Sequence, residues 1–342
     1  MTGPSPAWHT EAGPLAEVRT VDYHTGGEPF RIVTAGVPEI PGDTVARRRE
    51  NASDPAIDRV RRLLCHEPRG HADMYGCFVV PPDDGGAHLG ALFWHKDGYS
   101  TACGHGTIAL GVHAVESGLV AADADGDTDV VVDVPSGRVT ARVRRRGGTT
   151  ESVTFRNVPS YVTARDVPVT AVAGGSSFEV PVDVAYGGAM YASVPAAAFG
   201  LAVEPRHLTA LIALGRSIKA SLAGHPAARH HQDERLSGIY GVIFYDELGP
   251  GRQRNVTVFA DGEVDRSPCG SGTAARLALL HSGGFTGELV HESVVGSVFT
   301  GRVAEERGGA VIPEITGMAY RTGEHRFTLD PRDPVGPGFT LR

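Results

Sequence analysis

The sequence predicts an α/β (α+β) fold of two pseudo-symmetric domains, each a central helix wrapped by curved sheet, with the active site in the cleft between them. Three observations predict it. Cys103-Gly104-His105-Gly106-Thr107-Ile108-Ala109 returns as Cys269-Gly270-Ser271-Gly272-Thr273-Ala274-Ala275, 166 positions later. Val21-Asp22 with Gly26-Gly27 returns as Val182-Asp183 with Gly187-Gly188, 161 positions on, and Ser136-Gly137-Arg138-Val139 returns as Thr300-Gly301-Arg302-Val303 at a spacing of 164. Anchors in one order at nearly one offset mark two homologous halves. Strand-like segments outnumber helical ones in each half, and one small apolar helical segment follows each cysteine.

The elements follow in order. Residues 1–17, with Pro, Gly and acidic residues, read as a disordered tail. Segments 15–22 and 31–36 read as strands turning at Gly26-Gly27, and 54–64 as a helix opened by Ser53 or Asp54 with Pro55 in its first turn. Strands are expected over 77–80 and 89–94, then a helix over 108–115, then a hairpin of 130–134 and 138–144 turning at Pro135-Ser136-Gly137. The second half is expected to carry strands over 180–185, 191–194, 241–245 and 255–260, a long helix over 205–222 and a helix over 274–280. The stretch 223–236 reads as an exposed loop. The expected division is 18–160 with 316–342 for the first domain and 161–315 for the second.

Composition narrows the function. Net charge of −8 and pI near 6.0 argue against nucleic acid or an anionic membrane as partner. No apolar run approaches the roughly 20 residues of a membrane helix, and the start of the chain lacks a basic-then-apolar export pattern, so a cytoplasmic protein is expected. A homodimer is the base-rate assembly. Four cysteines form neither C-x-x-C nor a His/Cys cluster with zinc spacing, so no metal is expected. The Gly-rich motifs fit neither nucleotide-binding pattern, and Lys96, one of two lysines, lacks a phosphate cup for pyridoxal phosphate. No cofactor is expected.

A cysteine just ahead of a helix meets free backbone N–H groups and the positive end of the macrodipole, which favour a thiolate. Cys103 and Cys269 therefore read as a pair of acid/base groups facing one ligand. Cys65 and Cys77 read as small buried hydrophobes.

These residues resemble a known family. Asp265-Arg266-Ser267-Pro268-Cys269-Gly270-Ser271-Gly272-Thr273 resembles the second catalytic signature of the proline racemase family, and Cys103-Gly104-His105-Gly106 resembles the first. Segments 22–28, 67–74 and 296–301 are similar to further family blocks, so the resemblance covers 18–342. It implies a diaminopimelate epimerase-like fold, no cofactor, and Cys103 and Cys269 as proton donor and acceptor on a small-molecule substrate, proline or a hydroxyproline. Inverting an α-carbon takes a base on one face and an acid on the other, and the two thiols titrate as one coupled unit.

Backbone N–H groups of Gly104, His105, Gly270 and Ser271 are candidates for the substrate carboxylate. Asp265 is the candidate for the ring nitrogen, and His105 for orienting the carboxylate or a thiol. Tyr75 and Phe259 are candidates for the apolar wall, and Ser100, Tyr75 and His95 for a ring hydroxyl. His24, Glu67, Arg69, His71 and Asp73 are expected to form a polar network beneath the site. Dehydratases of the family usually carry Thr at the position of Cys269, so the resemblance implies a racemase or 2-epimerase. Met74-Tyr75-Gly76, His95 and Gly98-Tyr99-Ser100 are similar to the dehydratase branch, which leaves trans-3-hydroxy-L-proline dehydration as the alternative. A redox or ligand-binding protein with a Cys103–Cys269 disulfide is the third reading.

Overall fold

Two runs of strands follow the same itinerary. In the first, Val18–Thr25 and Glu28–Ala35 form a hairpin and Gly76–Val80 joins in parallel. Leu89–His95 then pairs antiparallel, Gly126–Val134 joins in parallel, and Gly137–Arg146 and Thr149–Arg156 complete a meander. The second run repeats each step with Ser176–Tyr186, Met190–Pro195, Ile239–Gly249, Arg252–Phe259, Leu289–Ser293, Val298–Arg307 and Ala310–Gly317. The structure is a computed structural model describing residues 17–341. Apart from Glu17, the expected tail lies outside the described residues.

Parallel neighbours need crossover connections, and helices supply them at equivalent places. Val45–Asn51 (α1) and Pro55–Cys65 (α2) fill the first crossover, and Gly104–Glu116 (α3) the second. Leu208–Ser221 (α4) and Gly270–Ser282 (α5) are their counterparts in the second run. The α2 cap is Asp54, whose side chain accepts from the Ala56 N–H at 2.8 Å, with Pro55 following.

The runs exchange their last strands. Tyr161–Ala173 pairs with Ser176–Tyr186, while Ala319–Phe327 returns to pair with Val18–Thr25. They join where Thr149–Arg156 runs antiparallel to Ala310–Gly317, with the Thr154 and Thr316 hydroxyls 2.9 Å apart. These threonines are 162 residues apart, within the spacing of the repeat, so the pseudo-twofold axis passes between them.

The central helices are small and apolar all round, which suits a helix with sheet on every side. In α3 every residue from Gly104 to Val112 is buried, and Ile108, Ala109 and Leu110 have no exposed surface. Burying a side chain the size of Ile108 or Leu110 contributes about 1.5–3 kcal/mol. Helix α5 is buried from Gly270 to Leu279. Outside the sheets, α1 and α2 cover one apolar cluster around Leu63, Leu64 and Trp94, and α4 covers another around Phe199, Leu211 and Phe244.

Candidate active site

The repeated motif brings two helix N-termini into contact, and each of its positions has a steric reason. A β-carbon on Gly104 would lie 2.5 Å from the Gly270 α-carbon, so only glycine lets α3 and α5 meet end to end. A β-carbon on Gly106 would lie 2.8 Å from Cys103 Sγ, and one on Gly272 would lie 2.9 Å from Cys269 Sγ, so the second glycine makes room for each thiol. The threonines tie the turns. Thr107 Oγ1 donates to the Cys103 carbonyl at 2.8 Å, and Thr273 Oγ1 to that of Pro268 at 3.1 Å. Each Gly-Gly turn reaches across to the chain entering the opposite cysteine. Gly188 approaches Ala102, and Gly26 approaches Ser267.

One cavity of about 10 Å3, the room of a single water, is lined by Tyr75, Ala102, Cys103 and His105 of the first half and by Tyr191 and Tyr240 of the second. Thr257, Phe259, Asp265, Cys269, Gly270 and Ser271 complete it. The two cysteines expected to face one ligand therefore share a cavity, with the halves closed upon it. Among the described residues no Arg or Lys lines it, so the N–H groups at the two helix N-termini are its positive features.

The thiols differ in their surroundings. Cys103 Sγ accepts from the Gly106 N–H at 3.2 Å and lies 3.4 Å from His105 Nδ1, which is 4.0 Å from an Asp265 oxygen. Cys269 donates to the Tyr191 hydroxyl at 3.9 Å, and that hydroxyl lies 2.7 Å from Ser271 Oγ. Cys269 sits at φ +62°, in a region costing a non-glycine residue about 1–2 kcal/mol, whereas Cys103 is extended at φ −154°. Hydrogen bonds hold that turn. The Cys269 N–H donates to Ser267 Oγ at 3.1 Å, and Ser267 donates from both N–H and hydroxyl to Asp265 at 2.8 and 2.7 Å.

The expectation that the helix N-termini make thiolates needs correcting for this closed form. Burial pushes both thiols up, Cys103 well above the ordinary range, and the Gly106 N–H opposes this only in part. Burial also lowers His105, favouring neutral imidazole.

Two candidate residues lie off the cavity. His95 Nδ1 is 3.1 Å from a Glu263 oxygen and accepts from the Asp97 N–H at 3.2 Å, while Ser100 sits behind Tyr75. Both line a neighbouring cleft of about 440 Å3 between the halves. Ligand atoms of His95, Asp97 and Glu263 lie within 4.8 Å of one another, but the Lys96 ammonium already stands 2.9 Å from Asp97 and 4.0 Å from Glu263. A bound cation there would face that charge.

The expected network divides. Asp73 bonds Arg266 and the Val264 N–H, whereas Arg69 ties down the carbonyls of Thr328 and Gly336. His24 Nδ1 accepts from the Gly27 N–H in the first Gly-Gly turn. Sequence reasoning missed Tyr191, Tyr240, Thr257 and Ala102. Tyr191 was within reach, since it stands 161 positions after Phe30 at the repeat spacing. Tyr240 belongs to no motif.

The sequence model of the family described as proline racemase matches residues 20–340. A 3-hydroxyproline 2-epimerase of Burkholderia multivorans is 45% identical over 332 residues, covering 94% of this chain and 98% of the relative. A trans-3-hydroxy-L-proline dehydratase of Bacillus thuringiensis is 44% identical over 331 residues, covering 94% and 97%. Among solved structures, a hydroxyproline epimerase from Agrobacterium vitis with bound trans-4-hydroxy-L-proline superposes with a TM-score of 0.86 at 33% identity, over 95% of this chain and 96% of that one.

Proposed function

This chain belongs to the proline racemase family, and from that premise we propose that it inverts the α-carbon of proline or a hydroxyproline without a cofactor. Cys103 and Cys269 act as the acid/base pair. One observation carries the reading: two counterpart thiols line a single cavity where two central helices meet end to end. The strand pairings support dividing the chain into 18–160 with 316–342 and 161–315, so that closure of the halves brings the thiols together.

The chemistry follows from the geometry. The substrate carboxylate lies against the N–H groups of Gly104, His105, Gly270 and Ser271, where charge building on it meets fixed dipoles. Asp265 accepts from the ring ammonium. One sulfur, as thiolate, takes the α-proton, and the other, as thiol, delivers a proton to the opposite face. Acid/base groups contribute about 10²–10⁴-fold each, and the dry, dipole-lined cavity supplies much of the remainder. A cavity with room for one water admits a ring only when the halves part, so opening precedes binding.

Incubation of the protein in heavy water with proline and the 3- and 4-hydroxyprolines tests this. Deuterium is expected at the α-carbon of both substrate and epimer, and absence of exchange with every one of them defeats the proposal. The dehydratase relative at 44% identity favours a second reading, in which Cys103 takes the α-proton and a 3-hydroxyl departs. A Δ¹-pyrroline product from trans-3-hydroxy-L-proline distinguishes it.

A further inference from the structure

We propose that Tyr240, Tyr75 and Ser100 form a one-way hydroxyl relay that accepts a hydrogen bond from a ring hydroxyl of the substrate. The relay selects hydroxyprolines over proline and keeps the hydroxyl on the ring. This rests on the thiol cavity being the site of α-proton transfer, as argued above.

The Tyr75 hydroxyl lies 2.5 Å from Ser100 Oγ and 3.0 Å from the Tyr240 hydroxyl, and Ser100 Oγ lies 3.3 Å from the Ala102 carbonyl. A carbonyl only accepts and each hydroxyl has one proton. Ser100 therefore donates to Ala102 and accepts from Tyr75, and Tyr75 accepts from Tyr240. The direction is set at the carbonyl end, and the Tyr240 oxygen keeps its lone pairs as the open end. Tyr75 and Tyr240 line the cavity, with the Tyr75 and Tyr240 rings each 5.7 Å from that of Phe259. Burial holds both phenols well above their usual range, so they stay neutral.

An apolar wall ending in one fixed acceptor is matched by a ligand that is apolar except for one hydroxyl donor. Proline leaves that acceptor without a partner in a dry site, and sites built around a substrate hydroxyl discriminate strongly against the analogue lacking it. The same direction bears on elimination. Breaking the C3–O bond to release water requires a proton on the departing oxygen, and every proton of the relay points away toward Ala102. The relay thus supplies no acid, and the hydroxyl is retained through inversion.

The test compares the native protein with Tyr240→Phe and Ser100→Ala in heavy water, following α-proton loss, epimer and pyrroline by NMR for L-proline, trans-3-hydroxy-L-proline and trans-4-hydroxy-L-proline. For the native protein, kcat/KM for exchange is expected to be at least about tenfold higher for a hydroxyproline than for proline, with epimer as the product. Each variant, one removing the open end and one removing what sets the direction, is expected to bring that ratio near unity. A native preference for proline, or an unchanged ratio in both variants, overturns the relay while leaving the two-thiol reading standing. Pyrroline as the main product overturns the relay and replaces inversion with the dehydratase reading. Absence of exchange on all three substrates overturns both.

Discussion

Gly104 and Gly270 touch backbone to backbone where α3 and α5 begin. A β-carbon on Gly270 would lie 2.6 Å from the Gly104 α-carbon, and the reverse distance is 2.5 Å. The obstacle on each side is main chain, which cannot rotate away as a side chain does. Gly104→Ala is therefore expected to push the helix ends apart and displace both sulfurs. Overpacking of this kind costs about 1–3 kcal/mol, and misplacing reacting groups by an ångström costs on the order of 10²-fold in rate. Thermal melting and α-exchange rates check both figures; full activity in Gly104→Ala contradicts the close approach.

The raised thiols set a pH dependence. Burial moves Cys103 and Cys269 upward, so each holds its proton to higher pH than a free cysteine. Catalysis needs one thiolate, whose fraction grows by about tenfold per pH unit below the pKa. kcat/KM is expected to climb from about pH 6 to about pH 9 without levelling before the usual thiol range. A profile flat across that interval contradicts it.

Glu28 gives a second dependence, in stability. It has no exposed surface; its carboxylate accepts from the Arg266 N–H at 2.7 Å, and its Oε1 has no hydrogen-bond partner among the described residues. Burial first, then Asp265, raises it well above the ordinary value of 4.5. The folded chain thus keeps a proton that the unfolded chain releases. Its contribution to stability is intact below about pH 4.5 and falls as pH rises toward the folded value. Glu28→Gln removes that fall. Its Tm is expected to match the native protein near about pH 4 and to exceed it by about 2 °C near neutrality. A difference independent of pH contradicts this.

What the sequence made legible was whatever depends on local contacts. The motif glycines and threonines act within a turn of their cysteines, and so the repeat, the two central helices and the thiol pair could be read directly. The helices begin earlier than expected, at Gly104 and Gly270, because glycines that are poor helix formers are held there by the opposite helix. Tyr161–Ala173 escaped notice partly because it contains Pro168, which is tolerated in a strand hydrogen-bonded on one side. The aromatic wall was the least legible. Tyr191 and Tyr240 come from strands of the second half, and the sequence does not reveal that Ser100 lies behind Tyr75 or that Glu263 engages His95. Those relations are set by strand register across the cleft.

The most direct measurement is α-proton exchange in heavy water by Cys103→Ala and Cys269→Ala, with each of the two substrate epimers offered separately. The account predicts that inversion falls by at least about 10²-fold in both variants. Each variant still exchanges one epimer, and the epimer differs between them, because the remaining sulfur addresses one face of the ring. Continued inversion by either variant, or exchange of the same epimer by both, would contradict it.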